Sequence, residues 1–246
     1  IRPDTILISV MAVNNEIGSI QPIEAISKLL ADKPTISFHV DAVQALAKIP
    51  TEKYLTERVD FATFSGHKFH GVRGVGFVYI KSGKKITPLL TGGGQERDYR
   101  STTENVAGIA ATAKALRLSM EKLDIFTSKT GQMKAVIRQA LFDYPDIFVF
   151  SDEEDFAPHI LTFGIKGVRG EVIVHAFEDY DIFISTTSAC SSKAGKPAGT
   201  LIAMGVDKDK AQSAVRLSLD LENDMSQVEQ FLTKLKLIYN QTRKVR

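Results

Sequence analysis

Three short apolar runs in the first 65 residues each lead into polar residues, and this pattern constrains the fold more than any other feature. Ile6 to Val10 is apolar and β-branched and runs into Asn14-Asn15-Glu16; Ile36 to Val40 ends at Asp41; Phe61 to Phe64 ends at Ser65. Runs of this length and composition predict buried strands. Between the first two, Ile23, Ile26, Leu29 and Leu30 recur at helical spacing, which predicts a helix over 22–30. Alternating strands and helices imply an α/β layer with much parallel pairing. In such sheets ligands sit beyond the carboxyl ends of the strands, where Asn15, Asp41 and Ser65 are expected.

A further strand is expected over 74–80, and the Ala- and Leu-rich stretch 105–123 predicts a long helix leaving this first domain. Helical spacing continues over 126–142. Strands near 148–150, 159–163 and 182–185, with helices near 171–178, 208–212 and 225–239, suggest a compact α+β unit. The expected division is therefore residues 1–123 as part of a large α/β domain and 124–246 as a smaller domain. The chain opens on Ile1-Arg2-Pro3 and enters its first apolar run at once. This is the pattern of a chain starting partway through a domain, with a removed tag or short leader as the alternative.

Composition narrows the classes of partner. Lys and Arg number 31 against 29 Asp and Glu, too balanced for the basic field that nucleic-acid or anionic-membrane binding needs. No apolar run reaches the ~18 to 20 residues that span a bilayer. The single cysteine cannot form an intrachain disulfide, so cytoplasm is the expected location. Small molecules and other proteins are the expected partners.

The strongest local signal is Phe64-Ser65-Gly66-His67-Lys68-Phe69-His70-Gly71. A lone lysine is ordinarily a solvated surface group. Here Ser65 and His67 could donate to a phosphate, and a lysine beside such a group can form the Schiff base that anchors pyridoxal phosphate. Asp41, 27 residues earlier, could face a pyridine nitrogen, or equally serve as the N-cap of a helix over Ala42-Val43-Gln44-Ala45. Gln44 and Asn15 offer amides nearby. Cys190 could be a small buried hydrophobe, yet Thr186-Thr187-Ser188-Ala189 before it and Ser191-Ser192-Lys193-Ala194-Gly195-Lys196-Pro197 after it have the makings of an exposed loop. Lys193 and Lys196 would favour its thiolate. Arg216 sits inside the apolar stretch Ala214-Val215-Arg216-Leu217-Ser218-Leu219, where its charge needs a partner. An internal ion pair and a clamp on a substrate carboxylate both fit.

Five ordered motifs resemble those of cysteine desulfurases of the NifS/IscS type. They are Val13-Asn14-Asn15-Glu16-Ile17-Gly18, His39-Val40-Asp41-Ala42-Val43-Gln44, Ser65-Gly66-His67-Lys68, Gly92-Gly93-Gly94-Gln95-Glu96-Arg97 and Ser188-Ala189-Cys190-Ser191-Ser192. The resemblance runs from Ile1 to about Tyr239 and implies a fold-type I architecture, a homodimer, and pyridoxal 5'-phosphate as cofactor with no metal. It assigns Lys68 to the cofactor linkage, Asp41 to the pyridine nitrogen, Gln44 and Asn15 to the ring hydroxyl, and Ser65 and His67 to the phosphate. Thr103 would reach the phosphate of the partner subunit. Arg216, with Asn15, would bind L-cysteine, and Cys190 would take its sulfur as a persulfide, leaving L-alanine. A sulfur-acceptor or scaffold protein would then serve iron–sulfur cluster assembly or tRNA thiolation.

Several positions depart from the family pattern. Asp98-Tyr99 and Thr102 stand where small residues, glycine included, are usual; Asp220-Leu221-Glu222 replaces Gly-Arg-Phe; Ala12 replaces a histidine. The N-terminal region that in relatives supplies a phosphate-cradling turn and a ring-stacking histidine has no counterpart here, so the chain resembles a truncated family member. A non-catalytic sulfur-relay or interaction module, a selenocysteine lyase and a class V aminotransferase are the alternative readings. Cys190 argues against the last, because transamination needs no such thiol.

Overall fold

The computed structural model describes residues 1–151, 154–187 and 199–244. The chain divides into two compact units, Ile1–Ala12 with Gln21–Leu123, and Val13–Ile20 with Asp124–Arg246.

In the first unit, strands β1 (Leu7–Met11), β2 (Ser37–Asp41), β3 (Phe61–Ser65) and β4 (Gly76–Ile80) form one sheet in that order. Helix α1 (Ile23–Leu29) connects β1 to β2, and α2 (Val106–Met120) follows β4. The first two pairings are parallel and the last antiparallel, with Val10 opposite Val40, Asp41 opposite Thr63 and Phe64 opposite Phe77. Phe38 and Val40 of β2 and Ala62 and Phe64 of β3 alternate into the core, as the period of a strand requires. Phe64 also stacks on Phe77 with ring centroids 4.7 Å apart.

The expectation that Ile6 to Val10 is a buried strand needs correcting. β1 forms one residue later and, among the described residues, pairs with β2 on one side alone; Leu7 and Met11 are exposed. An apolar run reports what a strand could bury, whereas its neighbours decide what it does bury.

An ion cluster fixes the entrance to β2 and β3. Asp60, 2% exposed, accepts from Arg58 Nη1 at 2.7 Å, the Phe38 amide at 2.9 Å and Lys84 Nζ at 3.2 Å. Arg58 spends its other donors on the carbonyls of Leu30, Lys33 and Ile36 at 2.9, 3.0 and 2.5 Å. Burial alone would raise the Asp60 pKa; the Phe38 amide, Arg58 and Lys84 outweigh it and hold the carboxyl below its ordinary value.

The second unit contains α3 from Asp124 onward (helix Leu123–Leu141), β5 (Ile147–Val149), β6 (Ile160–Ile165), α4 (Gly170–Glu178), β7 (Ser185–Thr186), α5 (Gly199–Ala203), α6 (Lys208–Gln212), β8 (Ala214–Ser218) and α7 (Met225–Lys244). Its sheet runs β5-β6-β8-β7 and is antiparallel throughout. β6 is buried along its whole length, which accounts for its nearly unbroken apolar sequence. Met133, Ile137 and Leu141 of α3 and Val228, Phe231, Leu235 and Ile238 of α7 present helical stripes to the core. Phe231 lies parallel to Phe177 of α4, centroids 4.9 Å apart. Two elements escaped the sequence reading: β8, whose apolar run is broken by Arg216, and α5, only five residues long. The strand expected over 182–185 is confined to Ser185–Thr186.

Candidate active site

Five of the singled-out residues gather at one edge of the first unit's sheet. β2 and β3 are parallel neighbours, so Asp41 and Ser65 leave the sheet at the same, carboxyl, end. Asp41 is exposed, and its Oδ1 accepts the Val43 amide at 3.0 Å. The chain after it forms turns rather than a helix, closed by the Ala45 and Leu46 amides on the Ala42 carbonyl at 3.0 and 3.1 Å. Asp41 therefore caps a turn and still presents its carboxylate at the sheet edge. Gln44 rides on that turn, half-buried.

Beyond Ser65 the chain makes a 3₁₀ turn, Gly66–Phe69, that carries His67 exposed and Lys68 half-buried. The turn stops at His70 in the left-handed region, φ 67, and the Gly71 amide returns to the Gly66 carbonyl at 2.9 Å. Only glycine fits that return: a Cβ on residue 71 would lie 2.7 Å from the Gly66 oxygen. Phe69, 1% exposed, anchors the turn, and Ser119 Oγ on α2 donates to its carbonyl at 3.2 Å. The backbone on both sides of Lys68 is thereby fixed, while its side chain stays accessible.

His39 is a residue that the sequence reading gave no role. It shares a face of β2 with Asp41 and spans three strands, Nδ1 to Ser9 Oγ at 2.7 Å and Nε2 to Thr63 Oγ1 at 3.1 Å. Burial lowers its pKa and the charge of Asp41 works the other way, with burial the larger effect. Its i,i+2 spacing from Asp41 was the available signal.

Asn15 and Arg216 belong to the second unit, and there they meet. Asn14 Oδ1 accepts the Glu16 and Ile17 amides at 2.8 and 3.0 Å, and Gly18, φ 83, closes the turn with Asn15 near its apex. Arg216 Nη1 donates to the Asn15 carbonyl at 2.8 Å, and its Nη2 to Ser185 Oγ at 3.2 Å. Two of the partners that orient this guanidinium are thus neutral oxygens. The contact uses the backbone of Asn15 rather than its amide side chain.

Thr103 lies exposed just before α2, whose N-cap Asn105 accepts the Gly108 amide at 3.0 Å. It is not joined to the Asp41–Lys68 group by any hydrogen bond seen among the described residues. Upstream, Glu96, Arg97 and Asp98 all take left-handed backbone, φ 51, 57 and 66; of these Asp98 is one of the positions noted above as departing from the resemblance. Cys190 lies outside the described residues, as do Lys193 and Lys196.

The pattern of the aminotransferase class-V family matches residues 1–231. The chain belongs to that family. Among class-V relatives, it is 50% identical over 243 residues to a "NifS/IcsS protein homolog" of Lactobacillus delbrueckii subsp. bulgaricus, covering 98% of this chain and 63% of the relative. It is 37% identical over 248 residues to the "Cysteine desulfurase IscS" of Clostridium botulinum strain Hall, covering 100% of this chain and 62% of that protein. A solved structure titled "NIFS-LIKE PROTEIN" superposes with a TM-score of 0.87 at 36% identity, over 98% of this chain and 62% of the other. The X-ray structure of a NifS-like protein from Rickettsia africae gives a TM-score of 0.84 at 30% identity, over 95% and 62%. The chain thus spans less than two thirds of the length of these relatives. The mixed α/β architecture with a parallel-rich sheet agrees with the expected fold-type I class. Among the described residues no helix is long and apolar enough to cross a membrane.

The donor set of this class-V family member suits pyridoxal phosphate. That molecule presents an aldehyde, a pyridine nitrogen, a ring hydroxyl and a phosphate. The carboxyl edge of the sheet offers an amine on Lys68, a carboxylate on Asp41, an amide on Gln44, and a hydroxyl and an imidazole on Ser65 and His67.

Proposed function

We propose that the chain is part of a pyridoxal-phosphate-dependent cysteine desulfurase that converts L-cysteine to L-alanine and collects the sulfur as a persulfide on Cys190. The observation that carries the reading is the gathering of Asp41, Gln44, Ser65, His67 and Lys68 at the carboxyl ends of adjacent parallel strands. The names of the class-V relatives support it.

Bound pyridoxal phosphate would supply an electron sink for the bond broken at the substrate Cα. Lys68 would hold it through its amine and, once released, take the Cα proton on Nζ. The Asp41 carboxylate would keep a proton on the pyridine nitrogen. Gln44 and Asn15 would orient the ring hydroxyl, and Ser65 and His67 the phosphate, with Thr103 serving the site of the partner subunit in a homodimer. Arg216, aimed by Asn15 and Ser185, would take the substrate carboxylate. The Cys190 thiolate would attack the sulfur of the substrate. The bond between that sulfur and Cβ breaks with its electron pair going to Cβ, a proton adds there, Lys68 Nζ returns the Cα proton to complete alanine, and the sulfur stays on Cys190 as a persulfide. An acceptor protein in the cytoplasm would remove it for iron–sulfur cluster assembly or tRNA thiolation.

The test is sulfide and alanine release from L-cysteine with single variants. Cys190→Ala should retain cofactor and bind substrate but release no sulfide, whereas Lys68→Ala should lose the covalently held cofactor. Normal sulfide release by either variant would overturn its assigned role.

A further inference from the structure

Residues 187 and 199 flank the stretch containing Cys190, and the chain on both sides of it is tied to one turn within the second unit. On the near side Ser185 of β7 takes a hydrogen bond from Arg216, which in turn donates to the Asn15 carbonyl. On the far side the Thr200 amide, in the first turn of α5, donates to Glu16 Oε2 at 3.1 Å, and Asn14 Nδ2 donates to Thr200 Oγ1 at 3.2 Å. Three consecutive residues, Asn14, Asn15 and Glu16, therefore hold both ends.

The turn itself is firmly set. The Glu16 carbonyl accepts from Thr162 Oγ1 of β6 at 2.6 Å, and the Ile17 carbonyl from Ser151 Oγ at 2.6 Å. Ile17 packs with Leu201, both buried, in a small core with Ala211 and Ala214. Motion of the turn would have to disturb β6, and motion of α5 would have to break the Glu16 bond. A carboxylate on a backbone amide is among the stronger hydrogen bonds available for such a tether.

We propose that Glu16 is a positioning residue for sulfur transfer: its carboxylate holds Thr200, ten residues after Cys190 in the sequence, to the turn that also aims Arg216. The inference rests on the desulfurase reading of Cys190 and Arg216. Glu16 acts through Thr200 and touches neither substrate nor cofactor. Misplacing a reacting group by about 1 Å can cost up to about 100-fold in rate, so the effect belongs in the transfer step rather than in binding. Arg216 reaches the Asn15 backbone, not the Glu16 side chain, so substrate affinity should be spared.

The test is the rate of persulfide formation on Cys190, followed by alkylation and mass spectrometry as a function of L-cysteine concentration. Glu16→Ala should lower the maximal rate by about tenfold with KM changed less than about twofold, and should speed hydrogen exchange at the Thr200 amide. Glu16→Gln keeps an acceptor oxygen and should stay within about threefold of the unsubstituted protein. Thr200→Pro removes the same hydrogen bond from its donor side, together with the Asn14 contact to Thr200 Oγ1, at a helix position whose amide has no intrahelical partner; it should lower the maximal rate at least as much as Glu16→Ala and serves if that variant fails to fold. An unchanged maximal rate in Glu16→Ala, an equal loss in Glu16→Gln, or a loss carried wholly by KM would overturn the inference and leave the desulfurase reading standing. No persulfide on Cys190 of the unsubstituted protein would overturn both.

Discussion

Three left-handed residues in succession without a glycine are expensive, and Glu96, Arg97 and Asp98 differ in how well they tolerate it. A left-handed L-residue costs roughly 1 to 2 kcal/mol, less for Asp, whose short side chain can bond locally. Arg97 has no such relief. Replacing it with glycine removes the strain against an entropy cost of about 0.5 to 1 kcal/mol, so Arg97→Gly should raise the urea midpoint, by about 0.5 kcal/mol of stability. A lowered midpoint would contradict this. Residue-level chemistry was legible where it is local. Ser65, His67 and Lys68 fall within four consecutive positions at one turn, and the turn follows from Gly66 and Gly71. The Arg216 contact was not legible, because its partner Asn15 is 201 residues away and offers a backbone oxygen that any residue would carry. Glu16 escaped for the same reason, lying 184 positions from Thr200 in the sequence.

At the scale of elements, the Asp60 cluster joins the loop after α1 to the starts of β2 and β3, and its removal should loosen the sheet that carries Asp41 and Lys68. Arg58→Ala would leave the buried carboxylate with only the Phe38 amide and Lys84 of the three partners named above, at a cost of up to about 3 kcal/mol. The pH dependence has a definite sign. The folded-state pKa of Asp60 is depressed, so its contribution is present above the unfolded value, about 3.9, and is lost as pH falls through the lower folded value. Urea unfolding should therefore separate the unsubstituted protein from Arg58→Ala widely at pH 7 and less below pH ~4. A gap that did not depend on pH would contradict the assignment. β2 and β3 were read to within a residue, since each is a compact apolar run ended by a polar side chain. The exposure of β1, the shortness of β7 and the existence of β8 depend on which strands pair, and pairing is not written in any one run.

For the whole molecule, the two units are not successive halves of the sequence. Val13–Ile20 leaves the first unit directly after β1 and belongs to the second, held there by Ser151 and Thr162 and bridged to Phe156. The Asn14-Asn15-Glu16 motif read as a loop at the end of a strand, which it is, but nothing local to it indicates that its partners lie beyond residue 150. The proposed function depends first on Lys68 of the first unit. Borohydride reduction of the protein with pyridoxal phosphate, followed by peptide mass spectrometry, should place the cofactor mass on the peptide containing Lys68 and leave the other lysines unmodified. Modification spread over surface lysines, or none on Lys68, would contradict the assignment.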